Sequence, residues 1–152
     1  MSHSTNPVAR LDHSRVAPEG MQALLGMERY LAKSLPRGLI HLVKLRASQI
    51  NGCAYCIDMH WHEARASGES EQRLYGLLTW EEAGAYTPAE RAALAWTEAV
   101  TDISRTHAPD AVYAALGAHY SEREIVDLTW LIATINAWNR IAIGLRSQPP
   151  AR

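Results

Sequence analysis

The sequence predicts an all-α protein, and three features of its residue pattern support this prediction. Apolar residues recur at helical spacing over most of the chain from residue 18 to residue 147. Capping sequences open the two segments with the clearest helical periodicity, at Thr87-Pro88-Ala89-Glu90 and at Ser121-Glu122-Arg123-Glu124. No segment combines strict alternation with many β-branched residues, so strands are not expected. The fold class is therefore all-α, with about six to seven helices in one domain.

The predicted helices follow one another with short connections. The first two run from Pro18 to Leu35 and from Pro36 to Ile50, because proline suits the first turn of a helix. Asn51-Gly52 interrupts the pattern, and a central third helix runs over residues 53–66 with a Cys-x-x-Cys pair at its start. Four more are expected at 70–78, 88–103, 109–116 and 122–147, the last ending before two prolines.

Length and composition agree with one globular unit. Of the 152 residues, 47% are hydrophobic and 20% are charged, which excludes a disordered, collagen-like or coiled-coil chain. Residues 1–17 are polar and aperiodic, and we expect a flexible N-terminal arm there. The domain is expected over residues 18–147, and residues 148–152 form a short tail, with no repeat or linker dividing the domain.

The charge and the apolar pattern exclude several classes of partner. Fifteen Lys and Arg against sixteen Asp and Glu leave a net charge of -1, so no overall field favours nucleic acid or anionic lipid. No apolar run reaches the roughly 18 residues of a membrane span. Residues 1–15 lack the apolar segment of a secretory signal, and two cysteines are too few for a disulfide scaffold. We therefore expect a cytoplasmic protein without nucleic-acid or membrane partners.

The candidate reactive residues lie on one face of the third predicted helix. With 3.6 residues per turn, Cys56 lies about 60° and His60 about 20° from Cys53 around the helix axis. The positive end of the helix dipole and its unpaired N–H groups favour a thiolate, the reactive form of cysteine. The spacing permits a disulfide, and His60, one turn beyond Cys56, is placed to exchange a proton. His62 points to the opposite side and is expected at the surface.

Three other interpretations fit the same residues. The cysteines could pack as small core side chains. With His60 they could supply three ligands to zinc, although no second Cys/His pair follows at finger spacing and His107 and His119 are unassigned. A thioredoxin-type oxidoreductase needs a βαβ unit, which the all-α pattern excludes, although dithiol exchange itself stays open.

The stretch Arg46-Ala-Ser-Gln-Ile-Asn-Gly-Cys-Ala-Tyr-Cys-Ile-Asp-Met-His60 resembles the alkylhydroperoxidase D (AhpD) core family of the carboxymuconolactone decarboxylase-like superfamily. The resemblance continues through Glu63-Ala-Arg65 and through Ile135-Asn-Ala-Trp-Asn-Arg140, which is similar to the closing helix of the family. It covers the chain from about residue 20 to residue 147. It implies an all-α fold, homo-oligomers formed by helix packing, and a thiol peroxidase that reduces organic hydroperoxides.

The resemblance also implies roles for individual residues. Cys56 matches the peroxidatic cysteine, Cys53 the resolving cysteine and His60 the histidine of the proton relay. Two positions depart from the family. The relay glutamate, twelve residues before the first cysteine, is His41 here, and a histidine found between the cysteines of well-studied members is Tyr55. A relay of two histidines is therefore expected, without the carboxylate that would raise the basicity of His60.

The residues and the resemblance together predict a thiol-dependent peroxidase. The helix dipole alone favours Cys53 as the more acidic thiol, but the spacing to His60 favours Cys56 as the thiol that attacks. The chain has no third cysteine and no nucleotide-binding motif, so an external dithiol or reductant protein is expected, without a cofactor or metal. Lactone decarboxylation is disfavoured, because the resemblance implies that this branch lacks the Cys-x-x-Cys pair. The alternative is a non-catalytic dithiol redox sensor or a zinc-binding oligomeric protein.

The other polar and aromatic residues near the site are expected to be structural. Trp138 is expected in the core or at an oligomer interface, as aromatic residues at helical spacing usually are. Asn136 is expected to satisfy a buried backbone group or to bridge helices. Asp58 and Glu63 are expected at solvated positions, whereas Tyr55 is a candidate for the wall of a substrate pocket.

Overall fold

The computed structural model describes residues 7–152, and within that range it contains nine α-helices and no strand. In chain order these are α1 (His13–Val16), α2 (Pro18–Leu31), α3 (Arg37–Asn51), α4 (Ala54–Ala66), α5 (Glu71–Tyr75), α6 (Pro88–Thr101), α7 (Ile103–Thr106), α8 (Asp110–Leu116) and α9 (Glu122–Leu145). A 3₁₀ turn, Gly76–Thr79, follows α5. The all-α prediction is confirmed. The two helices beyond the predicted seven are α1 and α7, whose four residues are too few to show a periodic pattern.

Local sequence signals set several helix ends. Thr87 and Ser121 each accept a hydrogen bond from the backbone three residues on, where a glutamate returns the bond, so both predicted capping boxes are present. α3 ends at Gly52, whose φ of 68° lies in the left-handed region that favours glycine. The chain turns there directly into α4, which makes Cys53 the N-cap residue of α4.

α3 is the central helix and packs against α4, α6 and α9. One hydrophobic cluster joins it to α2, α6 and α9, and a second joins it to α4, α5 and α6. A third, smaller cluster consists of Cys53, Cys56 and Ala142, with Tyr55 packed against it. The start of α4 therefore lies against the C-terminal half of α9. No helix in the described range combines the length and apolar character needed to cross a membrane.

Buried asparagines fasten α3 to α9 immediately before the cysteines. Asn51 Nδ2 donates to Asn136 Oδ1 and to Asn139 Oδ1, each at 2.9 Å. Asn139 Nδ2 donates to Ser48 Oγ at 3.0 Å, and Asn136 Nδ2 donates to Thr101 Oγ1 in α6 at 3.0 Å. Asn136 thus bridges three helices, which confirms its predicted structural role.

The segment before α2 is attached to the end of α9. Arg10 donates from its backbone N to Leu145 O and from Nη1 to Gly144 O, each at 2.9 Å. Of the predicted N-terminal arm, residues 1–6 lie outside the described range, and the remainder contains α1. The described part of the arm therefore follows a defined course beside the C-terminus of α9.

We predict that Asn139→Ala lowers the free energy of unfolding by about 1–3 kcal/mol, because it removes a fully buried partner of both Asn51 and Ser48. Denaturant titration followed by circular dichroism measures the loss. Gln72→Ala, at an exposed position of α5, is the control and should change this free energy by no more than about 0.5 kcal/mol. Equal effects of the two substitutions would contradict the structural role of the asparagines.

Candidate active site

The two cysteines stand together at the start of α4. Their sulfurs are bonded as a disulfide, with Cα atoms 5.3 Å apart. Cys53 Sγ also accepts a hydrogen bond from the backbone N–H of Cys56 at 3.3 Å. The cysteines are only 1% and 2% exposed, and they lie at the positive end of the helix dipole. The fold therefore accommodates the oxidised pair, and in the reduced state the helix end favours a thiolate.

A cavity of about 650 Å³ adjoins this pair, and Cys56 lines it whereas Cys53 does not. Its walls come from α2, α3, α4, α9 and the segment before α2, and much of the surface is apolar, with Leu11, Met21, Leu25, Met59, Ile141 and Ala142. The volume lies in the range of sites for small organic molecules. A molecule that enters the cavity would reach Cys56 before Cys53. Tyr55, the predicted pocket residue, also lines this cavity.

His60 lines the same cavity and is oriented by a carboxylate. Its Nδ1 lies 2.9 Å from Glu63 Oε2, so in the neutral imidazole the proton belongs on Nδ1 and Nε2 is the proton acceptor. Nε2 is buried and has no hydrogen-bond partner among the described residues. The hydrogen bond from His60 lowers the pKa of Glu63 despite partial burial, which keeps this carboxylate ionised at neutral pH. The site therefore contains an oriented base with a free nitrogen.

The contact with Glu63 corrects the expectation that His60 lacks a carboxylate partner. Glu63 is half-exposed, but its carboxylate is bonded to His60 and is not merely solvated. Residues three apart on a helix are neighbours, so a flexible side chain at Glu63 reaches the imidazole even though its Cα lies away from the cysteine face. This spacing was the available sequence signal.

His41, the other predicted relay residue, does not line the main cavity. It lies in a second cavity of about 520 Å³, where its Nε2 is 3.1 Å from Ser67 Oγ. Burial lowers the pKa of His41, although Glu63 opposes this shift, so the imidazole is neutral at pH 7. Glu63 lines both cavities. The structure thus brings Cys56 and His60 to one cavity, places His41 in the other, and gives both cavities Glu63 as a common wall.

Three further cavity residues were not predicted as site residues. Lys44 of α3 is buried and forms an ion pair with Glu28 of α2, and Trp138 Nε1 donates to the other oxygen of Glu28 at 3.0 Å. All three line the main cavity. Trp138 is half-buried in the cavity wall, so the expectation that it packs in the core is wrong, whereas the oligomer-interface alternative stays a prediction. No local sequence signal marks Trp138 as a cavity residue, because its position depends on the contact between α9 and Glu28 of α2.

The remaining candidates lie away from the cavity. His62 pairs with Asp58 at 3.5 Å, and neither residue lines the main cavity. Within residues 7–152, no group of three or more His, Cys, Asp or Glu side chains is arranged to hold a metal ion. The zinc interpretation of Cys53, Cys56 and His60 therefore finds no ligand set in the described part of the chain.

The fold and the site define an all-helical protein of the AhpD type, with a disulfide-bonded cysteine pair at a helix start beside a largely apolar cavity. A family model for the carboxymuconolactone decarboxylase family matches residues 17–99. The uncharacterised protein YdfG of Bacillus subtilis is 43% identical over 144 residues, 94% of this chain and 98% of YdfG. The chain belongs to the carboxymuconolactone decarboxylase family, which confirms the resemblance seen in the sequence.

Solved structures agree with this assignment. The Agrobacterium tumefaciens protein ATU0492, of unknown function and proposed as an AhpD antioxidant defence protein, superposes with a TM-score of 0.93 at 46% identity. That match covers 95% of this chain and 100% of ATU0492. The debrominase Bmp8, without ligand, superposes with a TM-score of 0.79 at 26% identity, covering 88% of this chain and 73% of Bmp8. The common fold therefore includes a protein described as a debrominase and one proposed to act in antioxidant defence.

We predict that Glu63→Gln slows the reaction of reduced protein with cumene hydroperoxide about tenfold at pH 7, because the charge that supports a protonated His60 is lost. Glu63→Ala should slow it further, because the acceptor that orients Nδ1 is lost as well. Stopped-flow tryptophan fluorescence under single-turnover conditions measures the rate.

Asp58→Asn is the matched control for this series. Asp58 is a carboxylate of the same helix, and its partners are His62 and Arg152. It should react at the wild-type rate. Equal rates for Asp58→Asn, Glu63→Gln and Glu63→Ala would remove Glu63 from the site.

Proposed function

We propose that the protein is a thiol-dependent peroxidase that reduces organic hydroperoxides to alcohols through Cys53 and Cys56. One observation carries this proposal: a dithiol at a helix start presents Cys56 to an apolar cavity that also holds the His60–Glu63 pair. The cavity supplies the binding site for an organic group, and the dithiol supplies two electrons. Membership of a family with AhpD-like relatives supports the same conclusion.

The first half of the reaction takes place at Cys56. His60 Nε2 accepts the thiol proton, and the thiolate attacks the terminal oxygen of the hydroperoxide. The O–O bond breaks, and the leaving alkoxide takes the proton from the imidazolium to become an alcohol. Cys56 is left as a sulfenic acid. Glu63 is a positioning residue in this step, because it holds the imidazole in the tautomer that leaves Nε2 free.

The second half of the reaction joins the two cysteines. The Cys53 sulfur attacks the Cys56 sulfur, the sulfenic oxygen leaves as water, and the disulfide forms. Two electrons have then passed from the dithiol to the peroxide. An external dithiol or reductant protein restores the thiols by disulfide exchange. The second cavity, which His41 and Glu63 both line, offers a route by which protons return to the site.

The setting of the enzyme forms part of the same proposal. We expect a cytoplasmic protein that works as a homo-oligomer. Val126 and Trp130, one turn apart on α9, are 53% and 50% exposed and form a surface suited to contact with a second copy. A reducing compartment would supply the dithiol partner on which turnover depends.

The direct test of the proposed function is a thiol count before and after one equivalent of cumene hydroperoxide. The reduced protein should lose both thiols, and intact mass spectrometry should show the loss of two hydrogens. Repeated additions with dithiothreitol present should give many turnovers per protein. A single oxidation without turnover would support a redox sensor instead, and survival of both thiols would contradict peroxide reduction.

Substitution of each cysteine separates the two roles. We predict that Cys56→Ser abolishes peroxide consumption, whereas Cys53→Ser consumes one equivalent and leaves a sulfenic acid that dimedone traps at Cys56. The reason is that the cavity reaches Cys56 and not Cys53. Peptide mapping by mass spectrometry locates the adduct. The reverse pattern would exchange the two assignments.

The role of His60 has its own test. We predict that His60→Ala slows the single-turnover reaction about 100-fold at pH 7. The loss should be much smaller at high pH, where the Cys56 thiol ionises without a base. A pH–rate profile of both proteins measures this, with His62→Ala as the control because His62 lies outside the cavity. Parallel profiles for His60→Ala and the wild type would exclude His60 as the base.

A second reaction, reductive removal of bromine from an aromatic ring, is supported by the likeness to the debrominase Bmp8, a variant of which has been solved in complex with 2,3,4-tribromopyrrole. Tyr55 and Trp138 give the cavity aromatic walls beside Cys56. The dithiol would supply two electrons and two protons, giving the debrominated ring, hydrogen bromide and the disulfide. Bromide release from a bromopyrrole by the reduced protein, measured by ion chromatography, tests this reaction. Its absence would leave the peroxidase proposal as it stands.

A further inference from the structure

The charged groups that line the main cavity are predominantly negative. Among the described lining residues there are three carboxylates, those of Asp12, Glu28 and Glu63, and one ammonium group, that of Lys44. The Lys44 ammonium is buried against Glu28, whose second oxygen accepts a hydrogen bond from Trp138. The one cation of the lining is therefore already neutralised and is not free to receive an anionic ligand.

The two remaining carboxylates are held in the ionised form. The hydrogen bond from His60 lowers the pKa of Glu63, and a hydrogen bond from the Ser14 hydroxyl lowers the pKa of Asp12. The other titratable groups of the lining that face the cavity are Tyr55 and the imidazoles of His13 and His60. No arginine lines it in the described range. The described lining of the cavity thus lacks the unpaired lysine or arginine with which proteins usually hold a carboxylate.

The rest of the lining favours an uncharged organic molecule. A water molecule occupies about 30 Å³ of the liquid, so a cavity of about 650 Å³ is far larger than hydrogen peroxide needs. Its apolar residues Met21, Leu25, Met59 and Ile141 provide contact for hydrocarbon. A ligand carboxylate there would lose its hydration without gaining a partner, and it would lie near like charges.

We propose that this cavity admits uncharged, largely apolar hydroperoxides and rejects those that carry a carboxylate. The proposal rests on the proposed function and specifies its substrate class. Selection comes from the wall of the cavity and not from the dithiol, since the peroxide group of both kinds of substrate is the same.

The test compares cumene hydroperoxide with the same molecule bearing a para-carboxylate. At pH 8, above the ordinary titration range of histidine, kcat/KM for the carboxylate should be lower by about tenfold or more. Raised salt concentration should narrow the difference, because the repulsion is electrostatic. Equal values of kcat/KM for the two hydroperoxides would overturn the proposal while leaving the peroxidase itself established.

Two variants separate the cavity charges from the overall charge of the protein. Asp12→Asn removes one lining charge and keeps a residue that caps α1. Asp12→Asn should reduce the difference in kcat/KM between cumene hydroperoxide and its para-carboxylate. Glu19→Gln makes the same change of charge at an exposed site of α2 outside the cavity, and it should leave this difference unchanged. An equal change in both variants would assign the discrimination to net charge and overturn the proposal.

Binding of the product alcohols tests the inference without the reaction. Isothermal titration of the disulfide form should show binding of cumyl alcohol and much weaker binding of its para-carboxylate. If the protein shows this binding pattern but consumes no peroxide, the inference that the cavity excludes carboxylates stands and the proposed peroxidase function is wrong. Failure of cumyl alcohol to bind, or equal binding of both alcohols, would overturn the inference.

Discussion

The hydrogen bonds by which Asn51 holds the end of α3 against α9 determine where both sulfurs lie. Asn51 is the last residue of α3, Gly52 makes the turn, and Cys53 caps α4. Because the turn is only one residue long, a shift of Asn51 relative to α9 would carry α4 with it. Ala142 would then separate from the cysteines that it contacts. An amide network is well suited to this task, since it is directional where apolar packing is not.

A second constraint divides the polar groups around the dithiol into two pairs. Glu28 and Lys44 satisfy each other, with Trp138 as a third partner, and His60 and Glu63 do the same. Burying any of these charges without a partner would be costly, so each is paired. His60 Nε2 is a buried polar atom that has no hydrogen-bond partner among the described residues. The protein therefore concentrates its available reactivity at one nitrogen and one sulfur, in a wall that is largely apolar.

Much of this arrangement could be predicted from the sequence, and the failures have a common cause. Helical periodicity and the two capping boxes located the helices, and angular spacing placed Cys53, Cys56 and His60 on one face. These are local properties of one segment. The carboxylate partner of His60 was missed because a helical-wheel angle describes Cα positions and ignores how far a glutamate side chain can bend. The roles of Trp138 and Lys44 depend on contacts between distant helices, which no local pattern contains.

The attachment of Arg10 to the end of α9 has a consequence for how such a protein can diversify. The reactive groups lie on α4, inside the segment 17–99 that matches the family model. Much of the wall facing them comes from residues 9–14 and from the second half of α9, which lie outside that segment. The two ends of the chain thus form a variable part of the cavity wall, whereas the reactive groups on α4 stay in place. Changes at wall positions such as Leu11 and Ile141, which belong neither to the asparagine network nor to the cluster of Ala142 with the cysteines, can alter which molecules the cavity admits without moving either sulfur. Selectivity and chemistry can then vary independently within one fold.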